Sequence, residues 1–164
     1  ITNYLAVLEA TFVAHVIRPY STGKTAEIVA APKVYGFDTG FVCQFRGWSS
    51  PRREDLGLLW EHYVLNEMHA RLPDQPVRYW RDKQGHEVDF VIVRRGRNPI
   101  AIECKWSAND IDAAGLKAFV GRYPKARCMV VAQDVDRTYT KHFGDLEVTV
   151  VGLDAAMNQL MSRR

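Results

Sequence analysis

Three acidic residues and one lysine occupy positions where the sequence otherwise predicts apolar packing surfaces. Asp89 lies in one predicted strand, and Glu103 and Lys105 lie in the next. Glu61 is the charged member of an apolar stripe at helical spacing. A carboxylate on a packing face costs several kcal/mol unless it is paired or holds a metal. Because Mg²⁺ and Mn²⁺ prefer hard oxygen ligands, the three acids predict a site for one of these ions.

Lys105 gives this site a chemical use. An ammonium group beside a divalent ion can orient an attacking water and stabilise the charge on an attacked phosphate. The combination is typical of metal-assisted phosphodiester hydrolysis. A structural alternative is that these charges lie on the solvent-exposed face of an ordinary sheet and pair across neighbouring strands.

The elements around these residues predict how they meet. Strands are expected at 77–81, 87–94 and 100–106, and the short connection RRGRNP between the last two favours an antiparallel pair. Asp89 would then lie near Glu103, and Glu103 would share a strand face with Lys105. A helix over 56–72 presents the stripe that contains Glu61; its members are Leu58, Glu61, Leu65, Met68 and Leu72.

The remaining periodicity predicts an α/β fold with a mixed sheet flanked by helices. Residues 3–14 read as a helix, followed by two extended runs with a hairpin turn at 21–24. Asp38 is a candidate N-cap for a short helix. The other expected elements are helices at 39–46, 110–123 and 153–161 and strands at 127–132 and 147–151.

Composition narrows the class of protein. The 164 residues are 47% hydrophobic, which suits one domain or one domain with a small appendage. No apolar run approaches the roughly 20 residues of a membrane helix, so a soluble cytoplasmic protein is expected. Three cysteines without C-x-x-C spacing predict neither a disulfide framework nor a zinc site. A net charge of +3 does not by itself indicate nucleic-acid binding.

Several segments resemble a known family. Asp89 followed by Glu103-Cys104-Lys105 looks like the D…E-x-K motif of the PD-(D/E)XK nucleases, and Glu61 matches a helix-borne acid found there. The stretches PKVYGFDTGF, WEHYVLNEM and WRDKQGHEVDF resemble the C-terminal region of a prokaryotic AAA-type ATPase family. In that family a winged helix precedes a restriction-endonuclease-like domain.

The resemblance implies a partial winged helix at 1–37 and a nuclease-like domain at 38–164. It also implies that Asp89, Glu103 and Lys105 are catalytic and that Glu61, Asp89 and Glu103 bind Mg²⁺ or Mn²⁺. Cys104 departs from the family, in which a branched apolar residue is commoner. The expected partners are nucleic acid, with DNA favoured, an upstream ATPase portion and a second copy of the chain, with no membrane partner.

Basic residues in the predicted hairpins suggest contacts with a phosphate backbone, although exposed hairpin arginines are commonly only a solvated edge. Three functions remain open. The chain is a nuclease module gated by its ATPase, a DNA-binding module that does not cleave, or a protein-interaction and oligomerisation module. The predicted nucleic-acid contacts are Lys24, Arg81, Lys83, Arg94 and Arg95, with Trp80 and Arg97 beside them.

Overall fold

A computed structural model describes residues 2–21 and 31–162 of the chain. Within these ranges the helices are α1 (Thr2–Ala10), α2 (Thr39–Arg46), α3 (Arg53–Arg71), α4 (Ala114–Arg122) and α5 (Leu153–Met161). The strands are β1 (Ala14–Pro19), β2 (Lys33–Gly36), β3 (Val77–Arg81), β4 (Glu87–Ile92), β5 (Ile100–Lys105), β6 (Arg127–Ala132), β7 (Tyr139–Phe143) and β8 (Leu146–Val151). A short 3₁₀ turn over Ala108–Asp110 follows β5.

The strands form one sheet in the order β2-β1-β3-β4-β5-β6-β8-β7. Four neighbouring pairs are antiparallel, and the pairs β1–β3, β5–β6 and β6–β8 are parallel. The predicted α/β class, a mixed sheet flanked by helices, is confirmed. The predicted antiparallel pairing of the two strands that carry the acids is also confirmed, with Phe90 opposite Ile102.

Apolar layers cover both faces of the sheet. On one face α3 contributes Trp60, Leu65 and Met68, and α5 contributes Met157 and Leu160. On the other face α4 contributes Leu116 and Phe119. Burial of each such large apolar side chain stabilises the fold by about 1.5–3 kcal/mol. These layers hold α3 and α4 against the strands that carry the predicted site.

Local signals explain several helix boundaries. The Asp38 carboxylate accepts a hydrogen bond from the backbone N of Phe41 at 2.8 Å, so α2 begins where the N-cap predicts. Gly47, with φ of 70°, ends the same helix in the left-handed conformation. The predicted bounds of α2 and α5 are confirmed. The prediction of a first helix reaching residue 14 was wrong, because the chain leaves α1 at Ala10 and Phe12 adopts φ of 59°.

The N-terminal region joins the main sheet through β1. Strands β1 and β2 pair antiparallel, and β1 pairs parallel with β3 through Arg18–Arg78 and Pro19–Tyr79. A helix followed by an antiparallel strand pair is therefore present. The winged-helix assignment and the division of the chain at 37/38 stay predictions. The turn expected at 21–24, with Lys24 at its tip, lies outside the described residues except for Ser21.

None of the helices in the described part of the chain is long and apolar enough to cross a membrane.

Candidate functional site

Strands β4 and β5 bring three of the predicted residues together. The recorded β4–β5 pairs end at Phe90 and Ile102, and the next positions in this register are those of Asp89 and Glu103. Asp89 Oδ2 accepts a hydrogen bond from the backbone N of Cys104 at 2.8 Å. Lys105 Nζ lies 3.7 Å from Glu103 Oε2. The predicted convergence of Asp89, Glu103 and Lys105 is thus a property of one strand pair.

Glu103 is the one buried charged residue among the described side chains, with 7% of its surface exposed. Burial is the main cause that raises the pKa of its carboxyl group, to about 9, and the nearby Asp89 carboxylate raises it further. The ammonium group of Lys105 acts in the opposite direction. A hydrogen bond between the Glu103 and Asp89 side chains favours a protonated Glu103.

Gly115, in the first turn of α4, lies close to this acid pair. A Cβ atom at this position would lie 1.9 Å from the carbonyl oxygen of Glu87 and 3.2 Å from Glu103 Oε1. Because backbone atoms cannot move aside cheaply, only glycine allows α4 to approach β4 this closely. The approach places α4 over Glu103 and accounts for part of its burial.

Asp89 also has a raised pKa, of about 6. Burial is the largest cause, and the Glu61 carboxylate adds to it. The hydrogen bond from Cys104 N and the charges of Lys33 and Lys105 lower the pKa in part. Burial and the neighbouring carboxylates thus raise the pKa values of Asp89 and Glu103 more than the nearby lysines lower them.

Glu61 reaches the same region from α3. Its neighbour Trp60 fixes the helix on the sheet by donating a hydrogen bond from Nε1 to the carbonyl oxygen of Val131, at 3.0 Å. Glu61 Oε1 accepts a hydrogen bond from Tyr35 Oη at 2.5 Å and lies 3.4 Å from Lys33 Nζ. The acid in the apolar stripe is thus paired with two side chains of β2.

Lys33 and Tyr35 were not predicted as site residues. Lys33 Nζ forms ion pairs with both Glu61 and Glu87. Burial lowers the pKa of Lys33, but the carboxylates of Glu61, Glu87 and Asp89 raise it above the usual value. One signal in the sequence could have identified them. Lys33 and Tyr35 lie on either side of Val34 in an extended run, so their side chains share one face of the strand.

A cavity of about 410 Å³ opens beside these residues. Glu61, Asp89 and Lys105 line it, whereas Glu103 is buried and does not. Basic, acidic and aromatic side chains complete the wall, so its lining is both polar and apolar. These further residues are Arg53, Glu54, Gly57, Cys104, Trp106 and Asp110.

The donor chemistry of the site fits a hard divalent cation, because three carboxyl groups approach one another and two of them have raised pKa values. Among the described residues, however, no group of three or more His, Cys, Asp or Glu side chains is arranged to hold a metal ion. Glu61 is held by Tyr35 and Lys33. The ligand types are present, and Glu61 is the acid that the structure pairs with side chains of β2.

The predicted nucleic-acid contacts are scattered. Arg81 forms an ion pair with Glu87 near the acids, and Lys83 is exposed in the β3–β4 turn. Arg94 donates hydrogen bonds to the carbonyl oxygens of Leu160 and Ser162 at the end of α5.

Both Arg94 and the exposed Arg95 follow the far end of β4, at least about 10 Å along the strand from Asp89. The structure therefore does not bring these two arginines to the acids. Trp80 packs in the core beside Phe119 with 7% exposure, so its predicted role beside the nucleic-acid contacts was wrong. Lys24 lies outside the described residues.

Comparison with known families identifies the part of the chain that holds these acids. Residues 56–153 match the model of a domain of unknown function, DUF4143. The chain belongs to this family. DUF4143 is found in AAA-ATPase-associated proteins, which agrees with the ATPase-associated region that the sequence resembles. A second model, a domain of unknown function (DUF8612), matches residues 1–52, so β2 and the DUF4143 acids fall in differently matched regions.

Individual relatives of this DUF4143 chain are longer proteins. Uncharacterized proteins of Mycobacterium bovis and Mycobacterium tuberculosis are each 27% identical over 133 residues, covering 79% of this chain and 30% of the relative. The chain thus spans about a third of the length of these relatives. A structural likeness of TM-score 0.43 and 10% identity covers 59% of this chain and 28% of a chain in a refined half-complex of Thermococcus gammatolerans McrB AAA+ hexamers with bound McrC.

Proposed function

We propose that this chain is a metal-dependent nuclease module that works with an AAA-type ATPase in the cytoplasm. The observation that carries the proposal is the contact between Asp89 and Glu103 across β4 and β5, with Lys105 two residues further on and Glu61 facing the same cavity. A chance pattern of charges on a solvent-exposed strand face would not place Glu103 in the core and Glu61 and Asp89 at a cavity wall.

Asp89, Glu103 and Glu61 are the residues that would hold Mg²⁺ or Mn²⁺. When bound, the ion supplies Lewis-acid activation and neutralises charge on the scissile phosphate. Asp89 is held in position for this role by the hydrogen bond from Cys104 N. The buried Glu103 gives up its raised pKa when a cation is near, because positive charge favours the ionised carboxylate.

Lys105 is the residue proposed to act on the reacting groups. Lys105 lines the cavity, and its ammonium lies 3.7 Å from Glu103 Oε2, so the lysine is held at the cavity wall. From there it can orient a water for attack and stabilise the negative charge that grows on the phosphate. A positioned cation of this kind contributes to the transition state more than to substrate binding.

The proposed substrate is nucleic acid, with DNA favoured, bound through its phosphate backbone with little sequence preference. We add Arg53, which is exposed and lies on the cavity wall, to the proposed contacts. Lys83 in the β3–β4 turn and Arg81 at the end of β3, both exposed, remain proposed contacts. The predicted partners, an ATPase portion and a second copy of the chain, belong to the same proposal.

The test is cleavage of plasmid and linear DNA by the purified chain with Mg²⁺ or Mn²⁺. Asp89→Asn and Lys105→Met should each reduce the rate by about 10²-fold or more, as loss of a transition-state contact does. Lys125→Met is the matched control, because Lys125 is exposed between α4 and β6, outside the cavity wall. Cleavage by Asp89→Asn at the parent rate, or no cleavage by the parent with either ion, would refute the proposal.

A second candidate function, an inactive interaction module for the ATPase, is favoured by one observation. Aromatic side chains on and near α2 are exposed to an extent that is unusual for a free surface, namely Phe12, Phe37, Phe41 and Phe45. Phe37 and Phe41 are in ring contact, so this surface is continuous in part. If Phe41→Ser and Phe45→Ser abolish association with the ATPase while no variant cleaves DNA, this function replaces the nuclease.

A further inference from the structure

Two side chains from the N-terminal region occupy the acid site. Lys33 Nζ pairs with Glu61 and Glu87, and Tyr35 Oη donates a hydrogen bond to Glu61 at 2.5 Å. Both belong to β2, which lies three strands away from β4 in the order of the sheet. The acids therefore receive part of their counter-charge from a strand that is distant in the sheet and falls outside the DUF4143 match.

This contact is part of the packed structure. Tyr35 is 4% exposed, and its ring packs 5.9 Å from that of Phe90 and 4.9 Å from that of His62. The segment before β2 is held in turn, because Tyr79 Oη donates a hydrogen bond to the carbonyl oxygen of Ala31 at 2.6 Å. The Lys33 ammonium lies over the Tyr79 ring, 5.4 Å from its centre. Lys33 is thus directed to the acids by its surroundings.

The charges around Glu61 show what Lys33 does there. Glu61 and Asp89 line the cavity, and Lys33 is close enough to both to interact with their charges. Lys105, the other lysine of the site, pairs with Glu103 instead. A divalent ion bound by Glu61 and Asp89 would meet the repulsion of Lys33 and would compete with it for Glu61.

We propose that Lys33 is a tethered counter-cation that a divalent ion must displace from Glu61, and that Tyr35 holds Glu61 in place for this exchange. The inference rests on the proposed function, because it concerns the ion of that same site. It assigns control of metal affinity to β2, outside the strands that carry the catalytic residues.

The experiment measures Mn²⁺ binding by titration calorimetry, independently of cleavage. Lys33→Met, which keeps the bulk of the side chain and removes its charge, should bind Mn²⁺ at least about tenfold more tightly than the parent, a change of about 1.4 kcal/mol. Lys33→Arg keeps the charge and should bind like the parent. Lys125→Met removes an equal charge outside the site and should also leave binding unchanged.

A second readout covers the metal-free protein. In chelator, Lys33→Met should unfold at a lower temperature than the parent, because Glu61 and Glu87 lose their shared cation. Added Mn²⁺ should remove this difference in unfolding temperature. Lys33→Gln is the second charge-free variant if Lys33→Met does not fold. Unchanged or weaker Mn²⁺ binding by the charge-free variants would overturn the inference.

The outcomes separate this inference from the proposed function. Tighter binding by Lys33→Met without DNA cleavage by any variant supports the counter-cation and refutes the nuclease. Cleavage that needs Mn²⁺, with equal Mn²⁺ affinity in the parent and Lys33→Met, supports the nuclease and overturns the counter-cation. Mn²⁺ binding by Lys33→Met but not by the parent supports the inference in its strongest form, and binding by neither refutes both.

Discussion

At the centre of the sheet, β4, β5 and β6 bury nearly all of their apolar side chains. The N-terminal edge, formed by α1, β1, β2 and α2, leaves many of its apolar side chains exposed. Phe90 and Ile102 are fully buried in the centre, but Phe45 on α2 is 83% exposed and Tyr4 on α1 is 79% exposed. The edge joins the rest of the sheet through two residue pairs between β1 and β3. The centre therefore supplies most of the packing energy.

The edge nevertheless contributes to the site. Lys33 and Tyr35 lie on β2, the outermost strand of that edge, and both contact Glu61. A region that leaves many apolar side chains exposed thus adds a charge and a hydrogen bond at Glu61, the acid that α3 brings to the site. Most of the core packing and the pairing of Glu61 by Lys33 and Tyr35 thus involve different parts of the molecule, and this separation can be tested.

The largest expected effect is on the free energy of unfolding. Phe90→Ala removes a fully buried ring from the centre of the sheet and should lower this free energy by about 3–5 kcal/mol in denaturant titrations. Phe45→Ala, the matched change at the edge, should alter it by less than about 0.5 kcal/mol. Equal losses in the two variants would mean that the edge packs as a second core in solution.

The next effect concerns metal. Mn²⁺ or Mg²⁺ at a hundred times its dissociation constant should stabilise the parent by about 2.7 kcal/mol, since the ion binds only the folded acids. Asp89→Ala should abolish this gain in thermal unfolding, because it removes the carboxylate between Glu61 and Glu103. Retention of the full gain by Asp89→Ala would place the metal elsewhere.

A smaller effect is expected from pH. The pKa of Glu103 rises from 4.5 to about 9 on folding, and that of Asp89 rises from 3.8 to about 6. Raised acid pKa values mean that the folded state binds more protons, so their contribution to stability is full below about pH 4 and is lost as pH rises towards 9. Glu103→Gln should remove much of this loss.

Thermal unfolding in chelator across this pH range checks the prediction. At pH 9 Glu103→Gln should unfold roughly 5 °C above the parent, and at pH 5 the two should nearly coincide. Glu147→Gln, an exposed acid on β8, serves as the control and should follow the parent. A parent whose melting temperature rises steadily to pH 9 would show that Glu103 ionises without cost.

The smallest effect is expected from a single hydroxyl group. Tyr35→Phe keeps the ring packed against Phe90 and removes the hydrogen bond to Glu61, which should cost about 1 kcal/mol in denaturant titrations. His62→Phe probes the neighbouring ring contact without touching that hydrogen bond. If Tyr35→Phe leaves the free energy of unfolding unchanged, Lys33 alone holds Glu61.

Much of the fold could be predicted because its signals are local. Asp38 and Gly47 bound α2, and the apolar spacing of α5 gave its limits correctly. Strand β7 was missed because it lies at the sheet edge and its side chains, such as Tyr139 and Lys141, lack a buried face that would give an alternating pattern. The chain leaves α1 near Phe12, whose left-handed backbone conformation is not predicted by the type of any neighbouring residue.

The site residues likewise divide into those that local sequence signals predict and those that depend on tertiary structure. Asp89, Glu103 and Lys105 could be predicted to meet because a short connection and strand alternation determine their pairing. Lys33 and Tyr35 meet Glu61 only through the order of strands across the sheet, which periodicity does not encode. Arg94 resembled a nucleic-acid contact by its charge, yet its hydrogen bonds to the end of α5 follow from tertiary packing.

Gly115 bears on how variants of this protein are interpreted. The residue has no side chain and takes part in no reaction, yet any larger residue would push α4 away from the backbone of Glu87 and let water reach Glu103. A hydrated Glu103 would return towards an ordinary carboxyl group, and the charge balance of the acids would change. In a genetic screen, an alanine at this glycine would therefore be grouped with substitutions of Asp89 and Glu103, although its direct effect is a larger separation between two backbones.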